Sequence, residues 1–201
     1  DGNNGFTLNG IDFRDSSGIS VSSAGDVNGD SIDDIIIGAR LADPNNLRDS
    51  GESYVVFGKS GGFSPTLELF SLNGSNGFTL NSVNGGMESG FSVSSAGDVN
   101  GDGIDDIIIG APDVSPAGES YVVFGKSDGF SPTLELFSLN GSNGFTLNSV
   151  NGGMESGFSV SSAGDVNGDG IDDIIIGDYE ADPNAIGSGQ SYVVFGKSGG
   201  F

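Results

Sequence analysis

Apolar residues fall in short blocks bounded by glycine, and the same few patterns return along the chain. "DDIIIGA" (Asp105 to Ala111) is a continuous apolar run closed by glycine, the pattern of a strand covered on both faces. "ESYVVFG" (Glu119 to Gly125) is β-branched and aromatic throughout and predicts a second buried strand. "GFSVSSAGDV" (Gly90 to Val99) alternates, with Phe91, Val93 and Ser95 on one side and Ser92, Ser94 and Ala96 on the other. Its small side chains suit a crowded innermost strand. "NGFTLN" (Asn76 to Asn81) is shorter and more polar and predicts an outer edge strand. "SPTLELFSL" (Ser64 to Leu72) fits either a further edge segment or a short helical turn. No apolar run approaches the roughly 18 residues of a membrane span, and no signal-peptide pattern is present.

These blocks form a repeat. "AGDVNGD" starts at Ala24, Ala96 and Ala163, spacings of 72 and 67 residues, and residues 63–110 recur unchanged at 130–177. Three matching units of four strands, none able to bury both faces alone, predict an all-β fold of β-propeller blades, each a four-stranded antiparallel sheet. A β-sandwich is the alternative, but it has no need of three copies. The expected blades are 10–81, 82–148 and 149–201, a half-ring, with 1–9 as an outer strand completing another blade.

Composition narrows the chemistry. With 28 acidic and 6 basic residues the formal charge is -22, which argues against nucleic acid and anionic membranes as partners. Cysteine and histidine are absent, removing disulfides, thiolate and imidazole ligands, and any nucleophile that needs a His base. Glycine, at 37 residues, disfavours helix. The chain starts at Asp1 rather than Met, so a processed or excised piece is expected.

The acidic residues are concentrated between the first and second strands of each unit. In "GDVNGDGIDD", Asp98, Asn100 and Asp102 alternate, Gly103 lets the backbone turn back, Ile104 offers a carbonyl and Asp106 a carboxylate. Five oxygen-bearing positions with three formal negative charges suit calcium, with magnesium second. The same set recurs as Asp26, Asn28, Asp30, Ile32 and Asp34, and as Asp165, Asn167, Asp169, Ile171 and Asp173, so three calcium ions per chain are expected. An EF-hand begins in the same way but needs an acidic twelfth ligand, where this chain has Ile37, Ile109 and Ile176. Acidic turns without metal are the plainer reading of the same residues. Copy one carries Ser31 where the others have Gly103 and Gly170, so loop one is expected to bind weakest. Of each Asp pair the second is the expected ligand; Asp33, Asp105 and Asp172 point away, toward local backbone N–H groups or solvent.

"SGFSVSSAGDVNGDGIDDIIIGAP" followed by "GESYVVFG" resembles the FG-GAP repeat, the blade unit of the β-propeller of integrin α subunits and of many bacterial surface or secreted proteins. The first-strand Phe is Ile19 in copy one, and the "GAP" triplet, intact at Gly110 to Pro112, becomes "GAR" and "GDY" in the other copies. The resemblance implies a calcium-binding, extracellular or cell-surface module for protein or glycan binding and adhesion, and no enzyme. Two other readings stay open: a structural spacer or engineered repeat without a ligand, and a carboxylate-based glycan-degrading enzyme. The latter is weakened because Glu119 becomes Gln190 in copy three. Loops between the second and third strands differ among copies, and there Arg40, Arg48 and Tyr179 are the candidate partner contacts. Since three blades cannot close a ring, either a homodimer forms a six-bladed ring or the chain is a fragment of a longer, seven-bladed propeller.

Overall fold

The computed structural model describes residues 2, 4–115, 117–149, 155–199 and 201. Residues 1 and 3 of the expected outer strand, Pro116 in a variable loop, and 150–154 and 200 of the third expected blade lie outside them. The chain forms β1 (Thr7–Asn9), β2 (Ser20–Gly25), β3 (Asp34–Ala39), β4 (Glu52–Val56), β5 (Thr66–Glu68), β6 (Gly77–Asn81) and β7 (Ser92–Gly97). It continues with β8 (Asp106–Ala111), β9 (Glu119–Val123), β10 (Thr133–Glu135), β11 (Gly144–Asn148), β12 (Ser159–Gly164), β13 (Asp173–Asp178) and β14 (Gln190–Val194). Helix among the described residues is limited to short 3-10 turns at Pro44–Asn46, Leu69–Ser71 and Leu136–Ser138, and none is long and apolar enough to cross a membrane.

Three blades result, beside a separate two-stranded sheet of β1 and β5. Blade A runs β2-β3-β4-β6 and carries β10 outside β6; blade B runs β7-β8-β9-β11; blade C holds β12-β13-β14. The repeat strands within each blade, four in A and B and three in C, pair antiparallel and in the same register: Val21 faces Ile37 as Val93 faces Ile109 and Val160 faces Ile176. The "SPTLELF" segment resolves the choice left by the sequence by being both candidates. Its first half pairs parallel with an outer strand, β10 on β6 and β5 on β1, and its second half is the 3-10 turn. The outer strand of blade A is therefore not an edge, and Phe78 and Leu80 on it are buried.

In blades A and B both faces of the central strands are apolar because both are covered. Ile36, Val55 and Phe57 of blade A pack against Val93, Ile107, Ile109 and Tyr121 of blade B. Ile108, Val122 and Phe124 of blade B pack in turn against Val160, Ile174 and Ile176 of blade C. The innermost strands meet through serine: Val93 N–H donates to Ser20 Oγ at 3.0 Å, and Ser92 Oγ donates to Gly157 O at 2.7 Å. Gly38 and Gly110 permit this approach, since a Cβ there would lie 2.0 Å and 1.9 Å from the carbonyl oxygens of Gly90 and Gly157 in the following blade.

Candidate metal centre

A bulge at the end of each first strand sets Gly25, Gly97 and Gly164 opposite Asp34, Asp106 and Asp173. The acidic loop leaves the sheet there, and the last Asp sits at its foot. Asp34, Asp106 and Asp173 are the most deeply placed members, at 1%, 0% and 0% exposure. Asp106 accepts hydrogen bonds from Val99 N–H (3.0 Å) and Gly125 N–H (2.9 Å), tying the loop to the end of β9. Asp34 does the same with Val27 (3.1 Å) and Gly58 (2.8 Å), and Asp173 with Val166 (2.9 Å) and Gly196 (3.0 Å). The Asn28 amide lies 3.3 Å from Asp34 Oδ2, and the Asn100 amide 3.4 Å from Asp106 Oδ1.

The first Asp of each loop organises the turn. Asp98 accepts from the N–H groups of Gly101, Asp102 and Gly103 at 2.7, 3.0 and 2.8 Å. Asp165 accepts from Gly168, Asp169 and Gly170 at 2.6, 3.0 and 2.9 Å, and Asp26 from Asp30 and Ser31 at 2.9 and 2.7 Å. Those N–H groups, that of Gly170 foremost, hold the Asp165 carboxyl below the usual range. The middle acids Asp30, Asp102 and Asp169 accept from Ile32, Ile104 and Ile171 N–H in a one-residue Asx turn. Asn167 Oδ1 accepts from Asp169 N–H at 2.9 Å. The turn-back position has φ of +68° at Ser31, +87° at Gly103 and +88° at Gly170, so Ser31 carries left-handed strain that the glycines avoid.

Electrostatically the foot of each loop is short of positive charge. Burial pushes the Asp106 carboxyl up to about 8; the Val99 and Gly125 N–H groups oppose this, and the charges of Asp102 and Asp98 add to it. Asp34 is raised to about 6 by burial, again with Asp30 and Asp26 adding. Among the described residues, no three acidic side chains converge closely enough to hold an ion as they stand. The chemistry of the donor set nevertheless fits a hard cation: carboxylate and amide oxygens, no nitrogen or sulfur ligand, and a buried carboxylate that neighbouring anions disfavour.

Two of the three partner Asp residues, Asp105 and Asp172, do more than face solvent or cap local backbone, the roles the sequence suggested. Asp105 Oδ2 accepts from Asp26 N–H of the preceding blade at 2.8 Å, and Asp172 Oδ2 accepts from Asp98 N–H at 3.1 Å. The first and second acidic loops are thereby clasped by the next blade, with Lys126 N–H donating to Val27 O and Lys197 N–H to Val99 O, both at 2.9 Å. Asp33 is exposed. The doubled Asp was the available signal for this clasp, but strand alternation alone does not say which blade the outward side chain meets.

Antiparallel pairing puts the variable loops at the opposite end of each sheet from the acidic loops. Arg40 is half-buried there, paired with Glu88 of the next blade and lying 5.4 Å from the Phe91 ring centroid. Arg48 is exposed beside Asp49, 3.0 Å away. Tyr179 is half-exposed and packs on Phe158 at 4.6 Å; a hydrogen bond to Glu155 pushes its phenol up to about 12.

The model of the FG-GAP repeat matches residues 17–56, 89–123 and 156–194, each span running from the approach to a first strand to the third strand of one blade. The chain is 27% identical over 160 residues to integrin alpha-4 of Xenopus laevis, covering 79% of this chain and 14% of that protein. It is 29% identical to integrin alpha-PS2 of Drosophila melanogaster over 188 residues, 88% of this chain and 12% of that one. Against integrin alpha-IIb of Mus musculus the identity is 30% over 180 residues, 84% of this chain and 15% of the other. The chain thus spans 12 to 15% of the length of these relatives.

Proposed function

The chain belongs to the FG-GAP repeat family, and from that premise we propose that it is a calcium-held, extracellular set of blades whose opposite-face loops bind a protein or glycan in adhesion. The observation that carries the calcium reading is the buried carboxylate at the foot of each acidic loop, Asp34, Asp106 and Asp173. Calcium would be held by Asp98, Asn100, Asp102, Ile104 and Asp106 in loop two and by their counterparts in loops one and three. It would supply the positive charge the loop foot lacks and gather the carboxylates where β7 turns into β8. Oxygen-rich loops with one ion each suit the millimolar calcium outside cells.

Titrating calcium into chelator-treated protein, by calorimetry and thermal melting, is expected to give three ions per chain and a higher melting temperature. Asp98→Ala with Asp102→Ala removes one of them. No heat and no melting shift at millimolar calcium would overturn the reading.

Recognition is assigned to the loops at 39–50, 111–117 and 178–188, which differ among otherwise matching units. Arg48 and Tyr179 offer exposed side chains there, whereas Arg40 is engaged by Glu88. Arrays of matrix proteins and glycans are expected to show calcium-dependent capture, reduced in Arg48→Ala and Tyr179→Ala. An enzymatic reading has less support. The Glu52 and Glu119 carboxylates accept from the Tyr54 and Tyr121 hydroxyls, and copy three replaces them with Gln190.

A further inference from the structure

At the acidic loops the A|B and B|C contacts repeat one device. Asp26 and Asp105 hold each other twice: Asp26 N–H donates to Asp105 Oδ2 at 2.8 Å, and Asp105 N–H donates to Asp26 O at 3.3 Å. One blade on, Asp98 and Asp172 repeat the two bonds at 3.1 Å and 3.2 Å. The fit is close. A Cβ at Gly25 would lie 2.3 Å from Asp105 Oδ2, and one at Gly97 would lie 2.1 Å from Asp172 Oδ2. Glycine at the bulge, with φ of +74° and +72°, is therefore what admits the aspartate of the next blade.

The residues gripped and the residues gripping both belong to the proposed ion sites. Asp26 and Asp98 open loops one and two, so each clasp fixes the backbone from which the first proposed ligand projects. Asp105 stands between Ile104 and Asp106, and Asp172 between Ile171 and Asp173. Each clasping side chain thus sits between a carbonyl and a carboxylate assigned to the ion of its own loop. Whatever fixes those two positions fixes the clasp as well.

A second route joins the buried feet of the loops. Gly196 N–H donates to Asp173 Oδ1, the next residue, Lys197, donates its N–H to Val99 O, and Val99 N–H donates to Asp106 Oδ2. From there the pattern repeats, with Gly125 N–H to Asp106 Oδ1, Lys126 N–H to Val27 O, and Val27 N–H to Asp34 Oδ2. All six bonds measure between 2.9 and 3.1 Å. A charge placed at one foot is felt along such a chain, because its members polarise one another.

We infer that the three cation sites are coupled through these contacts, with Asp105 and Asp172 as positioning residues for the ion of the preceding loop. When Ile104 O and the Asp106 carboxylate are engaged by an ion, Asp105 is held between them, and Asp26 is set for binding in loop one. The coupling is reciprocal, since linkage requires loop one to act on loop two by the same factor. Ions in adjacent loops repel each other across screening solvent. The clasp outweighs that repulsion, and binding is positively cooperative. The inference rests on the calcium reading of the loops.

Calorimetric titration of calcium alone into the chelator-treated 201-residue chain tests this. With loop three silenced by Asp165→Ala and Asp169→Ala, the two remaining loops are expected to fill cooperatively. Silencing loop two as well, by Asp98→Ala and Asp102→Ala, is expected to weaken loop one at least about fivefold. With loop two intact, Asp105→Ala is expected to weaken loop one about tenfold, as loss of a group that orients a metal ligand does. It should also remove the dependence of loop one on loop two. Asp105→Asn keeps an acceptor for Asp26 N–H and is expected to restore most of the affinity. A loss in Asp105→Asn equal to that in Asp105→Ala would assign the effect to charge and overturn the positioning role. With loop one silenced instead, by Asp26→Ala and Asp30→Ala, Asp172→Ala should weaken loop two and leave the intrinsic affinity of loop three unchanged. A merely destabilised fold would weaken both. Independent binding, with loop one unaltered in Asp105→Ala, overturns this inference alone. No calcium bound by the unaltered chain overturns it together with the calcium reading.

Discussion

Asp106 is fully buried, yet Asp98 and Asp102 lie near enough for their charges to disfavour its ionisation. In calcium-free protein this fixes the sign of a pH effect. Its folded pKa of about 8 lies above the ordinary 3.8, so between those values the folded state binds more protons than the unfolded one. Stability is fully present below about pH 4 and is lost as pH rises through about 8, by at most about 1.4 kcal/mol per pH unit from this carboxyl. Urea midpoints in chelator are expected to fall from pH 5 to pH 8, more shallowly in Asp106→Asn; a midpoint that rises over that window would contradict the assignment. Ser31 gives a second residue-scale test. At φ +68° it holds a left-handed conformation that glycine adopts in the other two loops, and Ser31→Gly is expected to stabilise the chain by about 1 kcal/mol. It should also strengthen calcium binding at loop one, measured by calorimetry on variants keeping that loop alone. The strained position was legible in the sequence because Gly103 and Gly170 mark it. The task of Asp26, Asp98 and Asp165 in capping loop N–H groups was not, since ligand and cap draw on the same residue type at the same place.

At the scale of the element, strands were readable where composition and periodicity agree. The run "DIIIGA" and the block "SYVV" reported burial on both faces, and the sheets place them centrally. Direction across blades was hidden, because alternation assigns a side chain to a face and not to a neighbour. Asp105 and Asp172 therefore read as meeting local backbone N–H groups or solvent, although each clasps the loop of the preceding blade. The "SPTLE" segment was ambiguous for a related reason: its partner is an outer strand of another blade, a pairing that no local pattern encodes. Asp105→Ala is expected to cost about 1 to 2 kcal/mol, because Asp26 N–H loses its acceptor in a partly buried contact. Gly110→Ala should cost more. Its methyl would sit 1.9 Å from Gly157 O, a backbone atom that cannot turn aside, and overpacking of this kind costs about 1 to 3 kcal/mol. Chemical denaturation of both variants beside Gly177→Ala checks the order: a methyl on the blade C glycine would meet nothing nearer than Ser159 at 3.5 Å, so that variant is expected to be neutral.

For the whole molecule, the -22 formal charge and the stacked-blade architecture pull in opposite directions. Stacking blades brings successive acidic loops together, and the clasp places Asp105 beside loop one and Asp172 beside loop two. Positive charge is scarce: the lysines of the "FGK" turns, Lys59, Lys126 and Lys197, lie 4.8, 5.2 and 4.8 Å from the rings of Phe63, Phe130 and Phe201. Their ammonium groups help to hold the aromatic pairs and leave the loops' anionic charge largely uncompensated. Two kinds of cation should then act differently. Sodium chloride screens exposed charges over a distance that shrinks to about 3 Å at 1 M, so it is expected to raise the melting temperature of calcium-free protein gradually and without saturation at low concentration. Calcium at the three proposed sites should raise it already at millimolar concentration, by RT ln(1 + [L]/Kd) for each site, a dependence that turns from linear to logarithmic as [L] passes Kd. Asp98→Ala with Asp102→Ala should reduce the calcium increment while leaving the sodium response in place. Equal responses to calcium and to sodium chloride at matched ionic strength would make the acidic loops ordinary charged turns, and blade stacking would then rest on the apolar faces and the aspartate clasps alone.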